Sequence, residues 1–293
     1  MKRGLHLLFV IIIILVLFSC GRQYYEGRVA IMYAFDTEGK LLRSQMTLED
    51  SLFSVGRIFW IGKIQDKEVI VVNSDVGMTN AAMTVQLLID RFKPKEIIFS
   101  GICGGIDPEN KIGDIVIPKV WATHDYGVYD QEGFRPGRML VLLPGKDKPD
   151  TLMFFQVDDS LLKIAEGVKP ELKPILGRIP EIKVGGNGVS GNSFIDQVEK
   201  REELKGKFDT QIVDMESAAV VQVATINGVP VLVVRSCSDL AGGSGSSTAQ
   251  DEIKEFFEVA ADNSASFVLE FLKQLKKSDN VFLDASVLAS RSR

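Results

Sequence analysis

The chain has 293 residues, 45% of them apolar and 25% charged, a balance that fits a globular protein and excludes collagen-like and disordered classes. Its formal charge is −5; setting aside Lys2 and Arg3 leaves 32 basic against 39 acidic side chains, or −7. Such a surplus of acid argues against nucleic acid as a partner.

Lys2 and Arg3 precede an apolar run from Leu7 to Phe18 that stops at Ser19-Cys20-Gly21. The run is shorter than the roughly 20 residues of a spanning helix and reads as an export signal over 1–19. "LFSCG" resembles a bacterial lipobox, which implies cleavage before Cys20, lipidation of that cysteine and an exported protein anchored to a membrane, facing the periplasm or the cell surface. A retained single-span anchor is the alternative and places the remainder on the same side. Residues 20–27 then form the anchor and a short linker.

Beyond the signal, apolar segments of strand length alternate with helical spacing. "RVAIMYAF" (28–35), "EVIVVN" (68–73), "EIIFSG" (96–101), "GDIVIPKVW" (113–121) and "VPVLVVRS" (229–236) read as interior strands. "NAAMTVQLLIDRF" (80–92), "SAAVVQVATING" (217–228) and the long amphipathic segment 251–277 read as helices, the second closed by Gly228 and Pro230. This alternation predicts an α/β fold, a three-layer αβα sandwich around a mostly parallel twisted sheet. Prolines interrupt 125–180, which reads as an excursion on the same domain, and 278–293 reads as a loosely held tail. The domain itself is expected over 28–277.

Cys103 and Cys237 have small or apolar neighbours and form no CxxC pair, while His124 is the only histidine outside the signal, so no metal site is expected. The two cysteines read as buried thiols, with a disulfide as the alternative in an oxidising compartment. Nothing in the pattern calls for a cofactor.

Open parallel sheets bind ligands beyond the carboxyl ends of their strands. The residues there are Glu38 in "DTEGKLL", Ser74 and Gly77 in "SDVGMTN", Gly104 in "GICGGI", Glu216 in "DMESAA" and Asp239 in "CSDL". Singly, each has a plain explanation: glycines serve any turn needing positive φ, Glu216 could complement a helix N-terminus, and the others could be solvated loop carboxylates.

Their order and wording carry more. "SDVGMTNAAMTVQLLIDRFKPKEIIFSGICGGIDPENKIGDIVIP", "GVSGNSFI" and "VDMESAAVVQVATINGVPVLVVRSCSD" resemble the nucleoside phosphorylase and nucleosidase superfamily, in particular bacterial methylthioadenosine/S-adenosylhomocysteine nucleosidases. The likeness runs from about Arg28 to Lys277, while "IPKVWATHDYG" is similar to an exported and plant storage-protein branch. It implies an enzyme that hydrolyses the N-ribosidic bond of a purine nucleoside, with water as co-substrate, and a homodimer. Asp239 falls at the position of the acid that protonates the leaving purine, and Glu38 at that of the carboxylate activating water, with Asp36 as its rival. Glu216 falls at the ribose-binding position with Met215 beneath the sugar; Phe194 matches the purine-stacking position and Ile195 offers backbone bonds to the base. Ser74 to Gly77 are expected to border the water and ribose region.

Phe99 and Ile102 stand where hexameric phosphorylases carry an arginine and a serine, which favours water over phosphate. Asn192 replaces a usual aspartate. "AGGSGSS" after Asp239 reads as a mobile lid or a plain linker. Phosphorolysis and a non-catalytic nucleoside-binding lipoprotein are the rival functions.

Overall fold

A computed structural model describes residues 25–275. The predicted signal, Cys20 and the predicted tail lie outside those described residues.

The first half runs β1 (Val29–Tyr33), α1 (Asp36–Ser44), β2 (Met46–Ser54), β3 (Arg57–Ile64), β4 (Lys67–Asn73), α2 (Met78–Phe92), β5 (Glu96–Gly105), β6 (Ile115–Ile117) and β7 (Val120–Thr123). An irregular middle holds β8 (Gly127–Asp130), β9 (Gly133–Pro136), β10 (Met139–Val141), β11 (Asp150–Leu152), β12 (Phe155–Gln156) and α3 (Asp159–Ala165). The chain then forms β13 (Ile182–Val184), β14 (Asn187–Ser190), α4 (Val198–Phe208), β15 (Thr210–Asp214), α5 (Ser217–Asn227), β16 (Val231–Asp239) and α6 (Ala249–Gln274).

Twelve of the strands form one mixed sheet, whose central pairs β1 with β4, β1 with β5 and β5 with β16 are parallel. The runs "VAIMY" and "VLVVRSCSD" are buried along their whole length, as interior strands covered on both faces must be. Helices cover both faces, the expected α/β sandwich.

The ten-residue β5 is the organising strand. β1 lies beside its first half, β15 meets Gly104 and Gly105 at its end, and β16 follows its other edge. β1 therefore ends beside the middle of β5, while β15 and β16 both run beside its last residues.

Three local features differ from the sequence reading. The single strand expected over 113–121 is divided at Pro118-Lys119; β6 pairs β13 and β16 whereas β7 pairs β12 and β14, and a proline without an N–H suits the change of partner. The segment 46–64, left unassigned, is a hairpin on the sheet edge. Residues 36–44, read as a loop, form α1, whose first turn carries Asp36 and Glu38 as the helix dipole favours. The excursion 125–180 contributes two small hairpins, while β12 rejoins the sheet beside β7.

Candidate active site

A cavity of about 430 Å³ opens at the end of β5, and Glu38, Glu216 and Asp239 all line it. A smaller recess of about 220 Å³ shares Gly104, Phe194, Met215 and Asp239 with it and adds Ile195. Residues some two hundred positions apart thus meet around one space.

Glu38 is 2% exposed. Its Oε2 accepts from the N–H groups of Ala34 (2.8 Å) and Phe35 (2.9 Å), and its Oε1 accepts from Ile102 N–H (2.9 Å). Placement in the first turn of α1 lets the side chain reach back to the end of β1 and across to β5. Burial pushes its carboxyl above the usual carboxylate range, with Arg235 and the three backbone donors acting the other way. Asp36, the rival, points outward: its side chain is 77% exposed and pairs with Arg43 at 2.9 Å.

Arg235 is the residue that sequence reading missed. It sits fully buried in β16, its guanidinium 4.0 Å over the Phe99 ring. Its Nε donates to Asp214 Oδ2 (2.7 Å), its Nη2 to Ser217 Oγ (2.9 Å), and Nη2 lies 3.9 Å from Glu216 Oε2. Its Nη1 has no hydrogen-bond partner among the described residues. That nitrogen and Glu38 Oε1 both crowd the position where a Cβ on Gly101 would stand, so the bare glycine lets them approach one another. The available signal was one cation inside an otherwise apolar strand, a placement that demands partners.

Glu216 is the N-cap residue of α5 and 4% exposed. Its Oε1 accepts from Gly77 N–H at 2.8 Å. Burial, reinforced by the nearby Asp214 carboxylate, pushes Glu216 up to about 8. Asp214 also accepts from the N–H groups of Glu216 and Ser217, so it fixes the turn that presents Glu216.

Asp239 ends β16, 2% exposed, with Ala241 N–H donating to Oδ1 and the Ser238 hydroxyl to Oδ2, both at 2.9 Å. Burial pushes its carboxyl up to about 7; the two donors oppose that shift and the Glu252 and Asp196 carboxylates add to it. Gly104 lies beside it, where a Cβ would come within 2.9 Å of Oδ1.

Phe194 is 40% exposed and walls both spaces, as does Met215, while Ile195 is buried in the smaller recess. Ser74 and Gly77 are placed behind the cavity lining. The Ser74 hydroxyl lies 3.2 Å from Tyr33 O and 3.0 Å from Asp75 O, and Gly77 meets the site only through Glu216. Asn192 Oδ1 accepts from Met78 N–H (3.1 Å), tying the Phe194 loop to the start of α2. Phe35 and Ile253 close the side towards α6, where Phe35 meets Phe257 edge-on with centroids 5.2 Å apart.

The family model of the phosphorylase superfamily matches residues 28–273. The chain belongs to that superfamily. Among its relatives, a 5'-methylthioadenosine/S-adenosylhomocysteine nucleosidase of Tolumonas auensis is 31% identical over 249 residues, covering 85% of this chain and all of that one. A Streptococcus pneumoniae MTA/SAH nucleosidase solved in complex with 8-aminoadenine superposes with a TM-score of 0.71 at 27% identity, over 85% of this chain and 100% of the other. A Helicobacter pylori futalosine hydrolase gives 0.70 at 25%, over 85% and 98%. The superfamily scaffold thus spans the described chain, cavity included.

Proposed function

We propose that this chain hydrolyses the N-ribosidic bond of a purine nucleoside, either a 5'-modified adenosine such as methylthioadenosine or S-adenosylhomocysteine, or an unmodified purine nucleoside. One observation carries the reading: three buried carboxyl groups, Glu38, Glu216 and Asp239, line a single cavity. Cleavage would pass through an oxocarbenium-like sugar, as glycoside hydrolysis does.

Each carboxyl has its own task. Asp239, pushed up to about 7, carries a proton near neutrality and gives it to the purine as the C–N bond breaks and charge develops on the ring. Phe194 stacks on that purine and the Ile195 backbone meets its edge. Glu216 accepts from the ribose hydroxyls, with Met215 beneath the sugar; those donors favour its carboxylate over the protonated form that burial favours in the empty cavity. Glu38, its oxygens committed as acceptors to three N–H groups, takes the proton of the attacking water. The free Nη1 of Arg235, beside Glu38, is suited to hold that water's oxygen.

Water is favoured over phosphate by charge. Among the described residues the cavity lining carries no cation, and Arg235, buried behind it, already faces Asp214, Glu38 and Glu216, so an incoming dianion would meet more negative than positive charge. Incubating the full chain with methylthioadenosine, adenosine and inosine, with and without phosphate, tests the reading. Free base released without phosphate is expected; release only with phosphate would make the enzyme a phosphorylase, and no release under any condition would leave a nucleoside-binding protein.

The same reading includes export as a lipoprotein through Cys20, supported by the basic residues, apolar run and "LFSCG" of the N-terminus. It also includes a homodimer, supported by exposed apolar side chains such as Phe53, Val55, Val128 and Tyr129. Palmitate labelling of wild type against Cys20→Ser, and the mass in solution, check the two parts.

A further inference from the structure

Of the three cysteines in the sequence, Cys20 is the predicted lipidation site, and the fold brings the other two face to face. Cys103 on β5 and Cys237 on β16 are register partners on adjacent parallel strands. Although 134 positions apart, their sulfurs approach to 3.8 Å. Both are buried and unlinked in the structure, as the sequence reading of two buried thiols expects, and Cys103 also lines the catalytic cavity. In a chain so poor in cysteine, the meeting of these two at one rung of the sheet is a specific arrangement rather than a general taste for small apolar residues. Adjacent strands stand about 4.8 Å apart, inside the roughly 4.4–6.8 Å window of Cα separations that a disulfide spans.

We propose that Cys103 and Cys237 are a disulfide site, oxidised in the working enzyme to a bridge that joins β5 to β16 at the floor of the catalytic cavity. The oxidant is itself a disulfide, of the glutathione or dithiol-oxidoreductase class. One cysteine thiolate attacks it and expels a thiolate; the second then attacks the mixed disulfide and expels the other. One S–S bond forms and one breaks, the two cysteine protons pass to the donor's two sulfurs, and the donor is reduced by two electrons.

Position gives the bridge its purpose. Cys237 stands two residues before Asp239, where the register of β16 against β5 shifts, and the Ser238 hydroxyl contacts both Cys103 O (3.3 Å) and Asp239 Oδ2 (2.9 Å). A covalent tie there fixes the strand spacing that aims Asp239 at the cavity. It also closes a long loop, which restricts the unfolded chain. Burial pushes the Cys103 thiol well up, so the folded reduced pair reacts slowly and the bridge forms fastest while the chain folds in oxidising surroundings.

Bridge formation does not depend on which nucleoside is cleaved, so its test is separate from the substrate assay. Full-length protein is produced and folded either with dithiothreitol or with oxidised glutathione, then digested without reduction and mapped by mass spectrometry. The expected result is a joined pair of peptides containing Cys103 and Cys237 in the oxidised sample only. Its melting temperature should be higher by about 5–15 °C, and its base-releasing activity should remain within about threefold of the reduced form. Cys103→Ser and Cys237→Ser should each remove the thermal shift, and Cys20→Ser should not. Two unlinked thiols after oxidative folding, or a linked protein that has lost its activity, would overturn the proposal; mapping the wild type needs no variant to fold.

Discussion

The two ends of the catalytic cavity use the same functional group in opposite surroundings. At the base end, Asp239 receives two hydrogen bonds, one from a hydroxyl, and has Glu252 and Asp196 as its charged neighbours. At the water end, Glu38 receives three backbone N–H bonds and has Arg235. Both are buried and both are pushed upward by burial, so burial alone cannot divide the labour. The division lies in the donors: two bonds and negative neighbours leave a proton welcome on Asp239, while three fixed N–H groups and a guanidinium require an acceptor at Glu38.

Substitution by the matching amide should separate the two ends most sharply. Asp239→Asn removes the transferable proton but keeps an oxygen for Ala241 N–H, and a hydroxyl at Ser238 can accept as well as donate. Its kcat should fall by about 10²–10⁴ with ligand affinity within a few-fold, measured by single-turnover assay and calorimetric titration. Near-normal activity would remove Asp239 from the acid role. Glu38→Gln should cost about 10²–10³ in kcat and also stability, because an amide NH2 cannot accept from the N–H groups its carboxylate oxygen served; an unmatched buried donor costs about 1–3 kcal/mol. Equal melting temperatures for the two variants would show that the two carboxyl groups do not differ in their donors' demands.

The pH dependence tests the same contrast without mutation. Activity should fall on the alkaline side as Asp239 loses its proton through about 7, and on the acid side as Glu38 gains one. Stability of the empty enzyme follows a defined sign. Asp239 has a folded pKa raised from 3.8 to about 7, so its contribution is fully present below the unfolded value and is lost as pH rises through the folded one. The melting temperature should therefore decline between about pH 4 and pH 8, and the Asp239→Asn variant should decline less steeply. An identical slope in both would show that Asp239 is not the group responsible.

Glu216→Gln should be milder. The ribose hydroxyls would lose a charge-assisted acceptor, which is roughly twice as strong as a neutral one, so KM should rise about tenfold with a smaller change in kcat. A pure kcat loss would move Glu216 from sugar binding into the chemistry.

Sequence made the sheet legible because its central strands are buried on both faces and therefore read as unbroken apolar runs, as in "VAIMY" and "VLVVRSCSD". The hairpin at 46–64 was hidden because its first strand is exposed along most of its length, so "MTLEDSLFS" has no buried face to print a pattern. Among site residues, the cavity-lining carboxylates were visible as acids placed just after apolar strands or within the family's wording. Arg235 was not, since its task depends on Asp214, Ser217 and Phe99, which reach it from β15, α5 and β5. Ser74 and Gly77 were visible as a turn, but only the fold shows that their bonds run to Tyr33 and Glu216.

The smallest effect is the one that fixes the base at the water end. Asp36 precedes Glu38 by two residues on α1, and sequence alone leaves either as the group that takes the water's proton. A step of two residues on a helix turns a side chain by roughly 200°, and the structure divides the pair accordingly, Glu38 at 2% exposure inside the cavity and Asp36 outside against Arg43. An exposed ion pair of that kind contributes about 0–1 kcal/mol. Asp36→Asn should therefore leave kcat and KM within about twofold of wild type and shift the melting temperature little. A large loss of kcat in Asp36→Asn together with near-normal Glu38→Gln would reverse the assignment, and would require α1 to be rotated by about half a turn in the working enzyme.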